Sequence, residues 1–177
     1  MEQEDAQSGG GGIDKACLLP SLMECADEVF GMMLASVANL VEKCEPDSGQ
    51  NASQESIDQV VEERITFEAT VAFHGKPNGL VRLRCTPNGA LDLTRGLLML
   101  EDGDEVSVED IKDALGECAN MLSGTLKTKA LDPFGDYTLG TPVIGAHVDH
   151  GMKEHLGGLV YQLTSGCTAL EVWTDPD

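Results

Sequence analysis

Asp113, Glu117 and Asn120 have types and a spacing that could do chemistry together. On a helix, side chains three and four residues apart are neighbours. A carboxylate, Glu117, would then stand beside a carboxamide, Asn120, with Asp113 one turn earlier. Such a pair held on a rigid element suits positional chemistry better than the same groups on a loop. Asn is also a weak helix former, so an exposed one in mid-helix needs a reason to be there.

The element that must position them is the best helix pattern in the chain. Ser107 is a candidate N-cap, and Asp110, three residues later, makes an imperfect capping box. The helix is expected to run to about Lys129, where Lys127 and Lys129 suit its negative end. With Ile111 at zero and about 100° per residue, Leu115, Cys118, Leu122 and Leu126 fall within about 60° of it. Asp113, Glu117, Asn120 and Gly124 fall between about 180° and 240°, directly opposite this core face. The plainest account of an exposed polar stripe is a solvated face. The wheel shows that these residues are presented, without showing what they do.

The other elements follow from periodicity and turn chemistry. Residues 1–14 read as an acidic, Gly-rich tail and 15–177 as one domain. Apolar spacing through Leu18, Leu22, Cys25, Val29, Met32, Met33, Val37 and Leu40 predicts a long helix, with Pro20 tolerable only in its first turn. Residues 44–58 form a polar linker. Ile65, Phe67, Ala69, Val71 and Phe73 alternate as a strand, and Leu80 to Cys85 returns after the turn HGKPNG. A short helix is expected over 89–100. After the motif helix comes an irregular stretch with Pro133 and Pro142, then strands at about 156–164 and 168–174 joined across Ser165-Gly166. The fold class is therefore α+β: two layers, an antiparallel sheet with long helices packed on it, and a helix–hairpin unit used twice.

Charge and composition exclude several functions. Eleven basic against 31 acidic residues leave a net charge of −20. Nucleic-acid phosphates and anionic membranes are bound by Lys and Arg, so neither is an expected partner. A protein partner would offer a basic or neutral patch. No apolar run approaches the ~20 residues of a membrane helix, and Met1 to Gly12 lacks the features of a signal peptide. A cytoplasmic location is expected. Cys17, Cys25, Cys44, Cys85, Cys118 and Cys167 form no CxxC pair; they read as reduced residues, several in the core.

Rival sites are weaker. His147, His150 and His155, with Asp149 among them, offer metal ligands, but HxxH on a turn lacks the i, i+4 helical geometry of zinc enzymes. Ser21, Ser123 and Ser165 lack a nucleophile context such as GxSxG. The glycines of GTLGTPVIG are followed by no GK[ST].

The segment 108–124, VEDIKDALGECANMLSG, resembles the active-site helix of the CheC/CheX/FliY chemotaxis phosphatases. Their motif is Asp or Ser, three residues, Glu, two residues, Asn, matched here by Asp113, Glu117 and Asn120. ADEVFGMML at 26–34 and TPVIG at 141–145 are also similar, so the likeness covers roughly 16–174. CheC-type members carry the Glu–Asn pair on two helices. The first helix here offers Ser21, Cys25 and Glu28, or Glu24 followed by Asp27, and neither set supplies the amide. The chain thus resembles the single-site CheX branch.

The resemblance implies a phosphatase for an aspartyl-phosphorylated, CheY-like receiver of chemotaxis or a related two-component circuit. Asn120 would orient the attacking water, Glu117 would pair with the receiver's lysine, and Asp113 would support docking. The chain would need no cofactor or metal of its own, since Mg²⁺ sits on the receiver, and would work as a homodimer. The alternative is a non-catalytic receiver-binding or dimerisation module of the same fold.

Overall fold

Apolar residues at period two make strands wherever one face can be buried, and the computed structural model builds seven of them. It describes residues 13, 15–34, 38–44, 67–101, 103–145 and 154–176. In chain order these hold helix α1 (Lys15–Met33), strand β1 (Asn39–Cys44), hairpin strands β2 (Phe67–His74) and β3 (Gly79–Cys85), and helix α2 (Pro87–Leu98). Helix α3 (Val108–Leu126) follows, with a π turn (Lys127–Leu131) and a 3-10 turn (Asp132–Phe134) at its end. The short strands β4 (Thr138–Leu139) and β5 (Val143–Gly145) and the hairpin β6 (Glu154–Gln162) and β7 (Cys167–Thr174) complete the described chain.

The sheet is antiparallel throughout, in the order β1-β6-β7-β3-β2, with β4 and β5 both on the free edge of β2. That order reads symmetrically from its centre. Each half contributes a helix, a short strand and a hairpin, and each short strand closes the hairpin of the other half: β1 pairs with β6, and β5 pairs with β2. The twice-used unit expected from the sequence is present, interlocked rather than merely adjacent.

One face of the sheet carries the core. Val81, Leu83, Leu159, Tyr161, Leu170 and Val172 meet Leu22, Val29 and Phe30 of α1 and Leu115, Cys118 and Leu122 of α3. Phe30 and Tyr161 stack edge-on at 5.3 Å. The intervening residues point to the opposite face, where Glu171 is fully buried. It accepts from Arg82 Nε and Nη2, each at 2.9 Å, and from Arg84 Nε at 2.8 Å. A small apolar cluster of Cys44, Val160 and Ala169 lies on that face too.

Three expectations are corrected. The first helix ends at Met33, and Leu40 belongs to β1. Backbone pairing with β6 claims Asn39–Cys44, a non-local gain that outweighs local periodicity. Cys44, expected to open a linker, is buried beside Val160; residues 45–58 lie outside the described residues, as do the 1–12 part of the expected tail and Val37. Pro20 sits inside α1, beyond its first turn, because the helix starts earlier, at Lys15. The missing Pro N–H costs one intrahelical bond, while burial of Leu18, Leu19 and Leu22 around it holds the turn in place.

Candidate active site

Helix α3 starts on the expected cap. Ser107 Oγ accepts from Asp110 N at 3.1 Å, and Asp110 Oδ2 accepts from Ser107 N at 2.8 Å, so the box is reciprocal. Asp serves where Glu or Gln is usual. The Ser107 hydrogen bonds hold the Asp110 carboxyl below its ordinary range.

The core face lies where the wheel puts it: Leu115, Cys118, Leu122 and Leu126 are buried, with Ile111 half-buried. The helix is sunk deeper than one face requires. Ala114, Gly116, Ala119 and Ser123 are buried as well. A Cβ on Gly116 would stand 3.4 Å from Ile144 Cδ1 and 3.8 Å from Pro142 Cβ. Small residues on this flank therefore let β5 lie against α3. The signal in the sequence is Gly116, Ala119 and Ser123 at helical spacing.

The consequence is a narrow window. From Ala114 to Leu126 only Glu117 and Asn120 are exposed; Asp113 is exposed one turn earlier. Within this stretch the exposed part is narrow, bordered by half-buried Met121, Gly124 and Thr125. None of the three side chains is held by a hydrogen bond or ion pair to another described residue. Among the described residues, nothing but the helix backbone fixes Glu117 and Asn120.

Past the window the helix widens into the π turn. Thr125 Oγ1 donates to Met121 O at 3.0 Å and Thr128 Oγ1 to Gly124 O at 3.2 Å. Lys127 and Lys129, expected to face the helix dipole, are instead tied to carboxylates. Lys127 Nζ lies 2.7 Å from Asp132 Oδ2, and Lys129 Nζ lies 3.4 Å from Glu24 Oε2 and 3.3 Å from Glu28 Oε2. Lys129 thus ties the end of α3 to α1.

With both helices in view, α1 repeats the motif in altered form. Glu24-Cys25-Ala26-Asp27, ending at Gly31, matches Glu117-Cys118-Ala119-Asn120, ending at Gly124, at identical spacing. Burial matches too: Cys25, Ala26, Cys118 and Ala119 are buried, while Glu24 and Asp27 are exposed. This selects Glu24 and Asp27 as the counterpart pair. The α1 copy carries a carboxylate where α3 carries the amide. Tyr161 Oη donates to Asp27 Oδ1 at 3.5 Å, and Lys129 Nζ contacts the exposed Glu24 carboxylate.

Among the described residues no three His, Cys, Asp or Glu side chains gather as a metal would need. His155 stacks on Trp173 at 4.7 Å, while His147 and His150 lie outside the described residues. Ser165 is spent on Asp92, to which its hydroxyl and its N–H each donate at 2.7 Å. Cys25, Cys44, Cys85 and Cys118 are buried free thiols, Cys167 is half-buried and Cys17 exposed. Burial pushes Cys25 and Cys85 up to about 12 and Cys44 up to about 11, so these stay protonated and unreactive near neutral pH.

The family model described as "Chemotaxis phosphatase CheX" matches residues 67–164. A CheX from Desulfovibrio desulfuricans is 17% identical with a TM-score of 0.65, covering 89% of this chain and 99% of that one. The CheX–CheY–BeF3–Mg complex from Borrelia burgdorferi is 15% identical with a TM-score of 0.68, covering 93% and 100%. The FliM middle domain of H. pylori is 10% identical with a TM-score of 0.51, covering 91% and 88%. At these identities the structures establish the fold alone. No curated protein matches the chain.

Proposed function

Because the chain belongs to the chemotaxis phosphatase CheX family, we propose that it hydrolyses the aspartyl phosphate of a CheY-class receiver with Glu117 and Asn120. The observation that carries this is the window: over thirteen residues, 114 to 126, that pair is exposed while Met121, Gly124 and Thr125 are half-buried and the rest are buried. The related Borrelia complex holds a CheY with BeF3 and Mg²⁺, which is the kind of partner the window would meet.

Hydrolysis of a phosphoryl group needs a water held in line with the leaving oxygen, and little covalent chemistry from the protein. Asn120 offers a donor and an acceptor that do not titrate, so it can hold that water. Glu117, one turn away on the same ridge, pairs with the receiver's active-site lysine and sets the docking angle. Asp113 adds a second carboxylate at the rim. The contribution is positional. The Mg²⁺ is part of the phosphorylated substrate, and the chain supplies no cofactor.

We further infer a homodimer in the cytoplasm, where a CheY-class partner is found. Among the described residues the sheet ends in β1 on one side and in the short strands β4 and β5 on the other, and sheet edges call for cover. Light scattering should return about twice the 18.8 kDa chain mass; a monomer at micromolar concentration rules this out. No helix among the described residues is long and apolar enough to cross a membrane.

The second reading is a non-catalytic receiver-binding or dimerisation module, since the fold alone does not fix function. Docking separates the roles within the first reading. Glu117→Lys reverses a charge set against a lysine, and like charges in contact cost several kcal/mol. It should weaken binding to a beryllofluoride-loaded receiver far more than Asn120→Ala does. Equal affinities remove Glu117 from the contact.

A further inference from the structure

Gly124 stands one turn beyond Asn120 on the same ridge, in a helix that continues through the π turn to Leu131. A glycine inside a helix is destabilising relative to alanine, so it calls for a local reason. Packing in the described chain supplies none: a Cβ at Gly124 would meet no atom within 4 Å, while its carbonyl accepts from Lys127 N and Thr128 Oγ1 at the start of the π turn. No positive φ applies there either, since Gly103 and Gly157 are the glycines that adopt one. The space over Gly124 is open and lies in line with Glu117 and Asn120.

We propose that Gly124 is a docking residue, resting on the receiver-phosphatase function above. It lets the receiver's backbone close onto α3, so that Asn120 reaches the phosphoryl group at full depth. A methyl group there would hold the partner off, and misplacement by about 1 Å can lower turnover by about a hundredfold.

The chain contains its own control. Gly31 holds the matching place in the α1 copy and is equally open, with nothing within 4 Å of its Cβ position. There the amide is replaced by Asp27 and the glutamate is ion-paired to Lys129. Gly31→Ala and Gly124→Ala should both raise the melting temperature, by about 1–4 °C for a chain of this size.

Only Gly124→Ala should impair the reaction. The probe is a CheY-class receiver that the wild-type chain dephosphorylates, phosphorylated for turnover and loaded with BeF3 and Mg²⁺ for affinity. Turnover should drop at least tenfold with Gly124→Ala, affinity should fall with it, and Gly31→Ala should match wild type. A lowered melting temperature for Gly124→Ala would assign the glycine to the π turn and overturn the proposal. So would full turnover and affinity in Gly124→Ala while Asn120→Ala is inactive. Full turnover in Asn120→Ala removes the underlying function instead, so the two failures are distinct.

Discussion

Glu171 is the charge on which the back of the sheet depends. It is fully buried, receives two hydrogen bonds from Arg82 and one from Arg84, and those side chains are only 8% and 11% exposed. Glu171→Ala removes the carboxylate that both Arg82 and Arg84 contact. Removing one partner of a buried pair costs about 3–5 kcal/mol. Each kcal/mol lowers the melting temperature by about 2–4 °C in chains of 150–250 residues, so a loss of about 6–20 °C is expected. Arg82 also lies 4.9 Å over the Trp173 ring, so tryptophan fluorescence should report the same transition. The window on α3 faces away from this network, so turnover per folded molecule should survive at low temperature. Scanning calorimetry of wild type and Glu171→Ala is the assay. A shift under 2 °C would show that the arginines find other partners and that the network does not hold the sheet.

Two further outcomes follow from the same structure. Asn120→Asp should fold normally, because α1 already carries Asp27 in the same Glu-Cys-Ala context. Its turnover should fall about 10³-fold, since like charges 4 Å apart repel by about 4 kcal/mol at an effective dielectric near 20; a variant with a tenth of wild-type turnover contradicts this. Burial lowers the pKa of His155, Arg82 and Arg84 add to that effect, and Glu171, 4.0 Å away, opposes it. The unfolded chain then takes up a proton near pH 6.5 while the folded one stays neutral. This share of stability is complete above about pH 6.5 and lost as pH falls below it. Melting between pH 7.5 and 5.5 should fall less in His155→Gln than in wild type; equal losses refute the assignment.

What the sequence made legible was local. Ser107 and Asp110 announce the start of α3, and a 3.6-residue period puts Glu117 and Asn120 opposite Cys118 and Leu122. The hairpins follow from alternation and turn residues. What it hid was non-local. Nothing in Asn39–Cys44 indicates that β6 waits to pair with it, so its apolar residues passed for helix. The narrowness of the window depends on Ile144 and Pro142 covering Gly116, a contact made only once β5 joins β2. The α1 copy of the motif was present in the letters, but two alternatives stood until burial of Cys25 fixed its register.

The central claim is that Asn120, presented by α3, accelerates hydrolysis of a receiver's aspartyl phosphate. It is tested most directly by following phosphate release from a phosphorylated CheY-class receiver with wild-type protein, with Asn120→Ala and with no addition. Wild type should speed release well above the receiver's own decay. Asn120→Ala should return it to that decay with an unchanged melting temperature, since an exposed side chain shifts stability by about 0.5 kcal/mol or less. Release as fast with Asn120→Ala as with wild type would contradict the account.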